Sequence, residues 1–334
     1  MRRRHIGEFE LIQRLRQATR VPRALRGSVV AGIGDDAAIL RLRPGRVLLA
    51  TTDLLAEHVH FDLTCTPYRQ LGYKAAMANF SDIAAMGGVP RFVLIALALT
   101  PRESPRDVEA LYAGVHAACR RVDVALVGGD TSASHRDLFL TVVALGEAAP
   151  HEVLRRSTAH AGDHLYVTGT LGDAQAGLEL LQARKRTSSY LTGRHLAPTA
   201  RLHEARLLAE NRLASAAIDL SDGLAGDVRH ICEESGVGCL LDARKFPLSP
   251  ALLTHAQSRR RNPVAYALSG GEDYELLFTV PPAKVPRVEG LIRRRQLRAT
   301  AIGLIVPASQ GLRIIGTNGS VRPMAAKGYE HCVG

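Results

Sequence analysis

Short apolar runs that break off at an aspartate flanked by Gly, Ser or Thr recur along this chain, and that recurrence constrains its fold most. The first case is Gly32-Ile33-Gly34-Asp35-Asp36, set between Val29-Val30-Ala31 and Ala37-Ala38-Ile39-Leu40. Glycines permit tight turns and close backbone approach to a ligand. Adjacent carboxylates repel each other unless a cation, a donor or water lies near. Taken alone, the stretch reads more readily as a solvated Gly-Asp turn than as a site. Asp53, Asp82, Asp130 and Asp222 repeat the setting at what read as element ends, Asp219 ends an apolar run two residues before Ser221, and the set together suggests a shared oxygen-ligand site.

The runs also lay out the elements. Residues 8–19 predict a helix with Phe9, Leu11, Ile12 and Leu15 as its apolar stripe. Residues 27–40 read as strand, Gly-Asp loop, strand. A strand over 46–55 ends in Thr51-Thr52-Asp53, an oxygen-rich rim for which a turn or helix cap is the plainer alternative. Pro67 opens a long helix closed by Gly87-Gly88, with Ala75, Ala78, Asn79, Asp82 and Met86 on one small-residue face. Residues 91–100 are nearly all apolar and predict a strand buried on both faces. A helix from Pro105 carries Leu111, Tyr112, Val115 and Cys119; the strand 124–132 delivers Gly128-Gly129-Asp130-Thr131, and 138–148 is strand again.

The second half repeats the mixture. Residues 165–183 read as strand, Gly169-Thr170-Leu171-Gly172 turn and helix, a turn able to cradle phosphate although many strand–helix turns look alike. Residues 184–197 are polar and irregular and predict a mobile connector, followed by a helix over 198–212. In 214–236 an apolar run ends at Asp219, and Ser221-Asp222 precede a helix; N-capping explains one of that pair but not Asp219 as well. Gly270-Gly271-Glu272-Asp273 precede a buried strand, and a helix (283–295) and a strand (299–305) complete the pattern. The fold class is α/β (mixed α+β), and 334 residues suggest about two domains.

Composition removes several classes. No run of about 18 apolar residues exists, so no spanning helix is expected. Arg2-Arg3-Arg4 is followed by no apolar core, so a signal peptide is not expected and the cytoplasm is the default. The five cysteines form no CxxC, which predicts reduced, mostly buried thiols. The formal charge of +11 raises nucleic acid as a partner. Arginines number 38 against five lysines, a skew that resembles codon bias, and aromatics make up only 4%. Stacking platforms are therefore scarce, and no nucleic-acid role is expected.

Aspartates beside Gly, Ser and Thr suit Mg²⁺, which takes oxygen ligands and binds through a few carboxylates plus substrate phosphates. No Cys/His spacing competes for a softer metal, and neither a P-loop nor a GxSxG motif is present. Phosphoryl transfer is the leading class from the residues alone.

The motifs GIGDDAAIL, TTDLLAEHVHF, YKAAMANFSDIAAMGG, LVGGDT, IDLSDGL, SGGEDYELLF and the terminal KGYEH, in this order over nearly the whole chain, resemble the thiamine-monophosphate kinases of the aminoimidazole-ribotide-synthetase-like superfamily. The resemblance implies an N-terminal ATP/Mg-binding and dimerisation domain, 1–149, which pairs in a homodimer. A C-terminal domain, 150–334, would complete the nucleotide and substrate site. It implies ATP-dependent phosphorylation of thiamine monophosphate to thiamine diphosphate, aided by several Mg²⁺ ions. Asp36, Thr51, Thr52, Asp53, Asp82, Asp130, Asp219 and Asp222 would hold metal, with Asp130, Asp219 and Asp222 catalytic and Asp35 a further or outer ligand. Tyr112, Gly129, Asp130, Arg156 and Ser221 would face ATP, and His60, Glu272 and Tyr329 the thiamine phosphate. Relatives that act on selenide or carbamoyl groups fit less well: no reactive N-terminal Cys is present, and the tail around Cys332 (HCVG) does not match the carbamoyl-handling relative. A Mg–nucleotide-binding protein without catalysis is the alternative from another class, against which the intact acidic motifs speak.

Overall fold

The computed structural model describes residues 8–33, 37–185 and 187–324. The chain divides into two compact units, Met1–Ile83 with Gly88–His151, and Ala84–Gly87 with Glu152–Gly334.

The first unit runs α1 (Glu8–Ala18), β1 (Val29–Ala31), β2 (Ile39–Leu40), β3 (Val47–Ala56), α2 (Tyr68–Ala85), β4 (Val89–Leu99), α3 (Pro105–Val122), β5 (Ala125–Ala133) and β6 (Phe139–Ala148). Strands β3, β6, β4 and β5 form a four-stranded sheet in that order, with only the β4–β5 pair parallel. Start signals behave as the sequence implies. Ser104 caps α3, accepting from the Asp107 N–H while Asp107 answers the Ser104 N–H, and Pro105 sits at the first helical position. Helices α2 and α3 touch backbone to backbone at Gly114, where a Cβ would meet the Arg69 carbonyl at less than contact distance. Only glycine allows that approach.

Alternate residues of β4 are buried while their neighbours are half-buried, so it is not the doubly buried strand that 91–100 predicts. One face of the sheet packs Ile95, Leu97, Leu140 and Val142 inside. The other is covered only in part, where Leu25, Val29 and Leu40 pack near Phe92 and Val127. Beyond that patch Leu48 and Leu54 of edge strand β3 stay 50% and 57% exposed.

The second unit continues with β7 (His164–Thr168), α4 (Asp173–Gln182), α5 (Ser189–Leu196), α6 (Leu202–Glu210), β8 (Ala216–Asp219), α7 (Leu224–Ser235), β9 (Val237–Asp242), α8 (Pro250–Ser258), α9 (Pro263–Ser269), β10 (Leu276–Val280), α10 (Val285–Arg293), β11 (Ala299–Pro307), β12 (Leu312–Ile315) and β13 (Val321–Pro323). Seven strands form one sheet in the order β13-β12-β9-β11-β7-β10-β8. Its central strands are covered on both faces, because alternate residues enter different cores. Leu165, Val167, Ile218 and Leu277 pack with Val228 and Ile231 of α7. Tyr166, Ala217 and Phe278 pack with Leu208 of α6 and Leu291 of α10. All of Leu276–Val280 is buried, as the apolar run predicts.

The polar segment 184–197 is not a connector throughout. It holds α5, whose Ser188 side chain caps the N-terminus by accepting from the Leu191 N–H. At Gly177 of α4 a Cβ would strike the Leu191 carbonyl, so this helix seats on α4 through backbone. Such a contact leaves no apolar periodicity in the sequence to find. Among the described residues, no helix is long and apolar enough to cross a membrane.

Candidate active site

In the first unit, β3 and α2 bring three of the expected oxygen donors together. Thr51 Oγ1 donates to Asp82 Oδ2 at 2.6 Å. Burial, and then the charge of Asp82, push the Asp53 carboxyl up to about 6. Asp53 does not end its strand as the sequence suggests, because Leu54, Leu55 and Ala56 go on pairing with Thr141, Leu140 and Phe139. Thr52, on the alternate face, is exposed.

Asp130 also lies inside its strand rather than at its end. The row containing Asp53 passes through Val142 and Ile95 to Gly129, while Asp130 registers with Ala96, one row along. Asp130 and Gly129 are exposed. The buried Tyr112 phenol is raised first by burial and then by the charge of Asp130, which links those two residues. His60 is half-buried, and its Nδ1 accepts from the Ala56 N–H at 3.0 Å. Asp35, Asp36, Tyr329 and Cys332 lie outside the described residues.

The second unit gathers a separate acidic group. Asp219 ends β8 and is buried. The Asp222 N–H donates to Asp227 Oδ2 at 3.2 Å. Burial raises the Asp227 carboxyl well above its ordinary range, with the charges of Asp219 and Asp222 adding to the rise and Arg156 opposing it. Asp219, Asp222, Asp227 and Arg156 are thus one electrostatic unit. Capping accounts for none of it: the residue before α7 is Gly223, and no side chain caps that end.

The loop 270–275 lies alongside. The Glu272 N–H donates to the Ser221 carbonyl at 2.8 Å, the Tyr274 N–H to Leu220 at 2.9 Å, and the Leu220 N–H to Glu275 at 2.8 Å. Glu272 Oε2 stands 3.3 Å from Nδ1 of the buried His195. The Gly169–Gly172 turn is no phosphate cradle: Asp273 accepts from the Gly172 N–H (2.5 Å) and the Ala174 N–H (3.1 Å), so the chain's own carboxylate sits at the N-terminus of α4.

Like charges massed this way suit hard cations, and the donors are carboxylate and hydroxyl oxygens throughout. Neither group, among the described residues, gathers three carboxylate ligand atoms within 4.8 Å of one another. Among the described residues, the trio with ligand atoms all within 4.8 Å of one another is Glu57–His58–Asp137, which the sequence did not single out. Arg102 Nη2 at 2.6 Å and the Leu138 N–H at 3.0 Å already engage its Glu57. Spread-out carboxylates fit Mg²⁺, which keeps waters and takes further ligands from phosphates.

The chain matches known proteins over most of its length. Residues 34–148 match the family model of the AIR synthase related protein N-terminal domain, and residues 160–315 that of its C-terminal domain. The thiamine-monophosphate kinase of Salmonella typhimurium is 38% identical over 330 residues, 97% of this chain and 98% of that protein. The chain belongs to the thiamine-monophosphate kinase family. The crystal structure of the family member from Stenotrophomonas maltophilia K279a superposes with a TM-score of 0.81 at 37% identity, covering 93% of this chain and 97% of that one. AaThiL, solved in complex with AMPPCP and TMP, gives a TM-score of 0.77 at 35% identity over 99% of both chains. The two-domain mixed α/β architecture expected from the sequence is thereby established.

Within this family fold, sequence reasoning missed the residues that support the site. Asp227 lies five residues beyond Asp222, next to Gly226, and the Gly-Asp step was its only visible mark. Arg194, Arg201 and Glu275 left none. Glu275 is fully buried and receives Arg194 Nη2 at 2.8 Å, Arg201 Nε at 2.6 Å, Arg201 Nη2 and the Thr168 hydroxyl. Several of the abundant arginines therefore have internal carboxylate partners.

Proposed function

We propose that this chain transfers the γ-phosphoryl group of ATP to thiamine monophosphate, giving thiamine diphosphate, the last step in making that cofactor. One observation carries the proposal: mutually repelling carboxylates gather around Asp82 and around Asp227. They do so in a chain that aligns over its length with a relative complexed with AMPPCP and TMP. Asp36, Thr51, Thr52, Asp53, Asp82 and Asp130 of the N-terminal unit, and Asp219 and Asp222 of the C-terminal unit, are the residues that would hold Mg²⁺. When bound, those ions neutralise phosphate oxygens.

The two substrates together bring roughly six negative charges, so the protein's main task is to align and neutralise them. The attacking atom is a phosphate oxygen of thiamine monophosphate, already ionised at neutral pH, so no general base is required. It forms a bond to the γ-phosphorus as the bond from that phosphorus to the bridging oxygen of ADP breaks, in line. That need for alignment alone agrees with a site rich in aspartate, whose sequence motifs offer no obvious catalytic His–Asp pair.

Tyr112, Gly129, Asp130, Arg156 and Ser221 serve ATP, while His60, Glu272 and Tyr329 serve the thiamine phosphate. Glu272 is suited to oppose the thiazolium charge, and Tyr329 to stack on a thiamine ring. The exposed Leu48 and Leu54 of the N-terminal sheet support pairing with a second copy.

Purified protein given ATP, Mg²⁺ and thiamine monophosphate should yield thiamine diphosphate and ADP, and Asp130→Asn should lower the rate about a hundredfold or more. No thiamine diphosphate from the wild type refutes the proposed reaction, and an undiminished rate in Asp130→Asn removes that residue from the mechanism.

A further inference from the structure

Helix α5 meets the loop 270–275 along consecutive residues. Arg194 Nη2 donates to the Asp273 carbonyl at 3.2 Å and to the Glu275 carboxylate at 2.8 Å. The next residue, His195, is 3% exposed and places Nδ1 3.3 Å from Glu272 Oε2. Glu272 has a φ of 68° and Tyr274 one of 50°, left-handed values that a non-glycine residue holds only where its surroundings impose them. The imposing contacts come from two sides. The loop's main chain is tied to Leu220 and Ser221, between Asp219 and Asp222. The Asp273 and Glu275 carboxylates are tied to α4 and to the arginines. Those contacts fix the backbone of Glu272, and the ring on α5 stands beside its carboxylate.

We propose that His195 is a positioning residue for substrate recognition: by fixing one carboxylate oxygen of Glu272, it aims that group at the cationic part of the phosphorylated substrate. This rests on the function proposed above and on Glu272 as its substrate residue. A carboxylate left to rotate loses part of its interaction with a fixed cation. The nucleotide, attributed to other residues, should be indifferent to the change.

The experiment compares His195→Leu, which removes the ring nitrogen, with His195→Asn, whose amide nitrogen stands close to where Nδ1 was. Each is read by steady-state kinetics for both substrates and by thermal unfolding, and each is combined with Glu272→Gln. His195→Leu should raise KM for thiamine monophosphate tenfold or more and leave KM for ATP within twofold. His195→Asn should recover most of the loss, and adding Glu272→Gln to His195→Leu should cost little beyond the larger single effect. A folded His195→Leu with both KM values unchanged, or with both raised alike, overturns the proposal. So do effects at 195 and 272 that multiply. If His195→Leu does not fold, His195→Ala with and without Glu272→Gln decides by the same coupling. Wild-type turnover beside an unmoved variant defeats this inference alone, whereas a wild type that makes no thiamine diphosphate defeats the function it rests on.

Discussion

The carboxyl of Asp273 offers a direct test of how the loop 270–275 is held. It is buried at the N-terminus of α4, and burial raises it to about 7 from an ordinary 3.8 against the pull of the Gly172 and Ala174 N–H groups and Arg194. A carboxyl raised on folding keeps its proton in the native state over a range where the unfolded chain has lost it. Native protein therefore binds more protons between about pH 4 and 7, and stability falls as pH rises through that window. From pH 5 to pH 8 those two values give a loss of about 2.5 kcal/mol from this one group. Asp273→Asn removes the titration while keeping the shape. The chain has no tryptophan, so urea unfolding is best followed by helical circular dichroism at the two pH values. Wild type should lose about 2.5 kcal/mol more than the variant between pH 5 and 8. Losses equal to within about 0.5 kcal/mol would refute the reasoning and mean that the helix terminus and its two N–H donors hold Asp273 charged throughout.

Three further outcomes follow from the same geometry. Asp53→Asn relieves burial of a charge beside Asp82; without metal at pH 8 it should raise thermal stability by about 1 kcal/mol, discounted for partial exposure, and should lose most of the gain that Mg²⁺ gives the wild type in a thermal scan. Glu275→Leu strands Arg194 and Arg201 and should cost about 3–5 kcal/mol in urea unfolding, where a loss below about 1 kcal/mol would show the pairs to be replaceable. Leu54→Asp should convert a dimeric wild type to monomer in sedimentation, and a dimer unchanged by it would move the pairing surface elsewhere.

What the sequence disclosed depended on where the stabilising partner of each residue lies. Helix α2 announced itself through Pro67 and Gly87-Gly88, α3 through Pro105, and β10 through its apolar run, all local signals. Asp53 and Asp130 were visible as chemistry, but their position within a strand was not. Whether a strand stops at an aspartate depends on whether the neighbouring strand goes on offering partners, as β6 does beyond Asp53. The doubly buried character expected of β4 failed for the same reason: an apolar run records what a strand can bury, not whether a second layer arrives to cover it.

Helix α5 carries the point furthest. Its sequence, Ser189–Leu196, offers Leu191 as its one fully buried apolar anchor, with Leu196 and Tyr190 left partly or largely exposed and otherwise Ser, Thr, Gly, Arg and His. An isolated eight-residue segment of that kind is not a stable helix in water. It becomes one because Gly177 lets its backbone touch α4, and because Arg194 and His195 find carboxylates from residues 272–275, some eighty positions later. The charged residues that made the segment read as solvent-exposed are the ones that bind it down. A polar stretch lying before a buried acidic loop is therefore better read by asking which buried carboxylates still lack a cation. Glu275, fully buried in an apolar strand context, poses that question in the sequence, and Arg194 and Arg201 answer it in the fold.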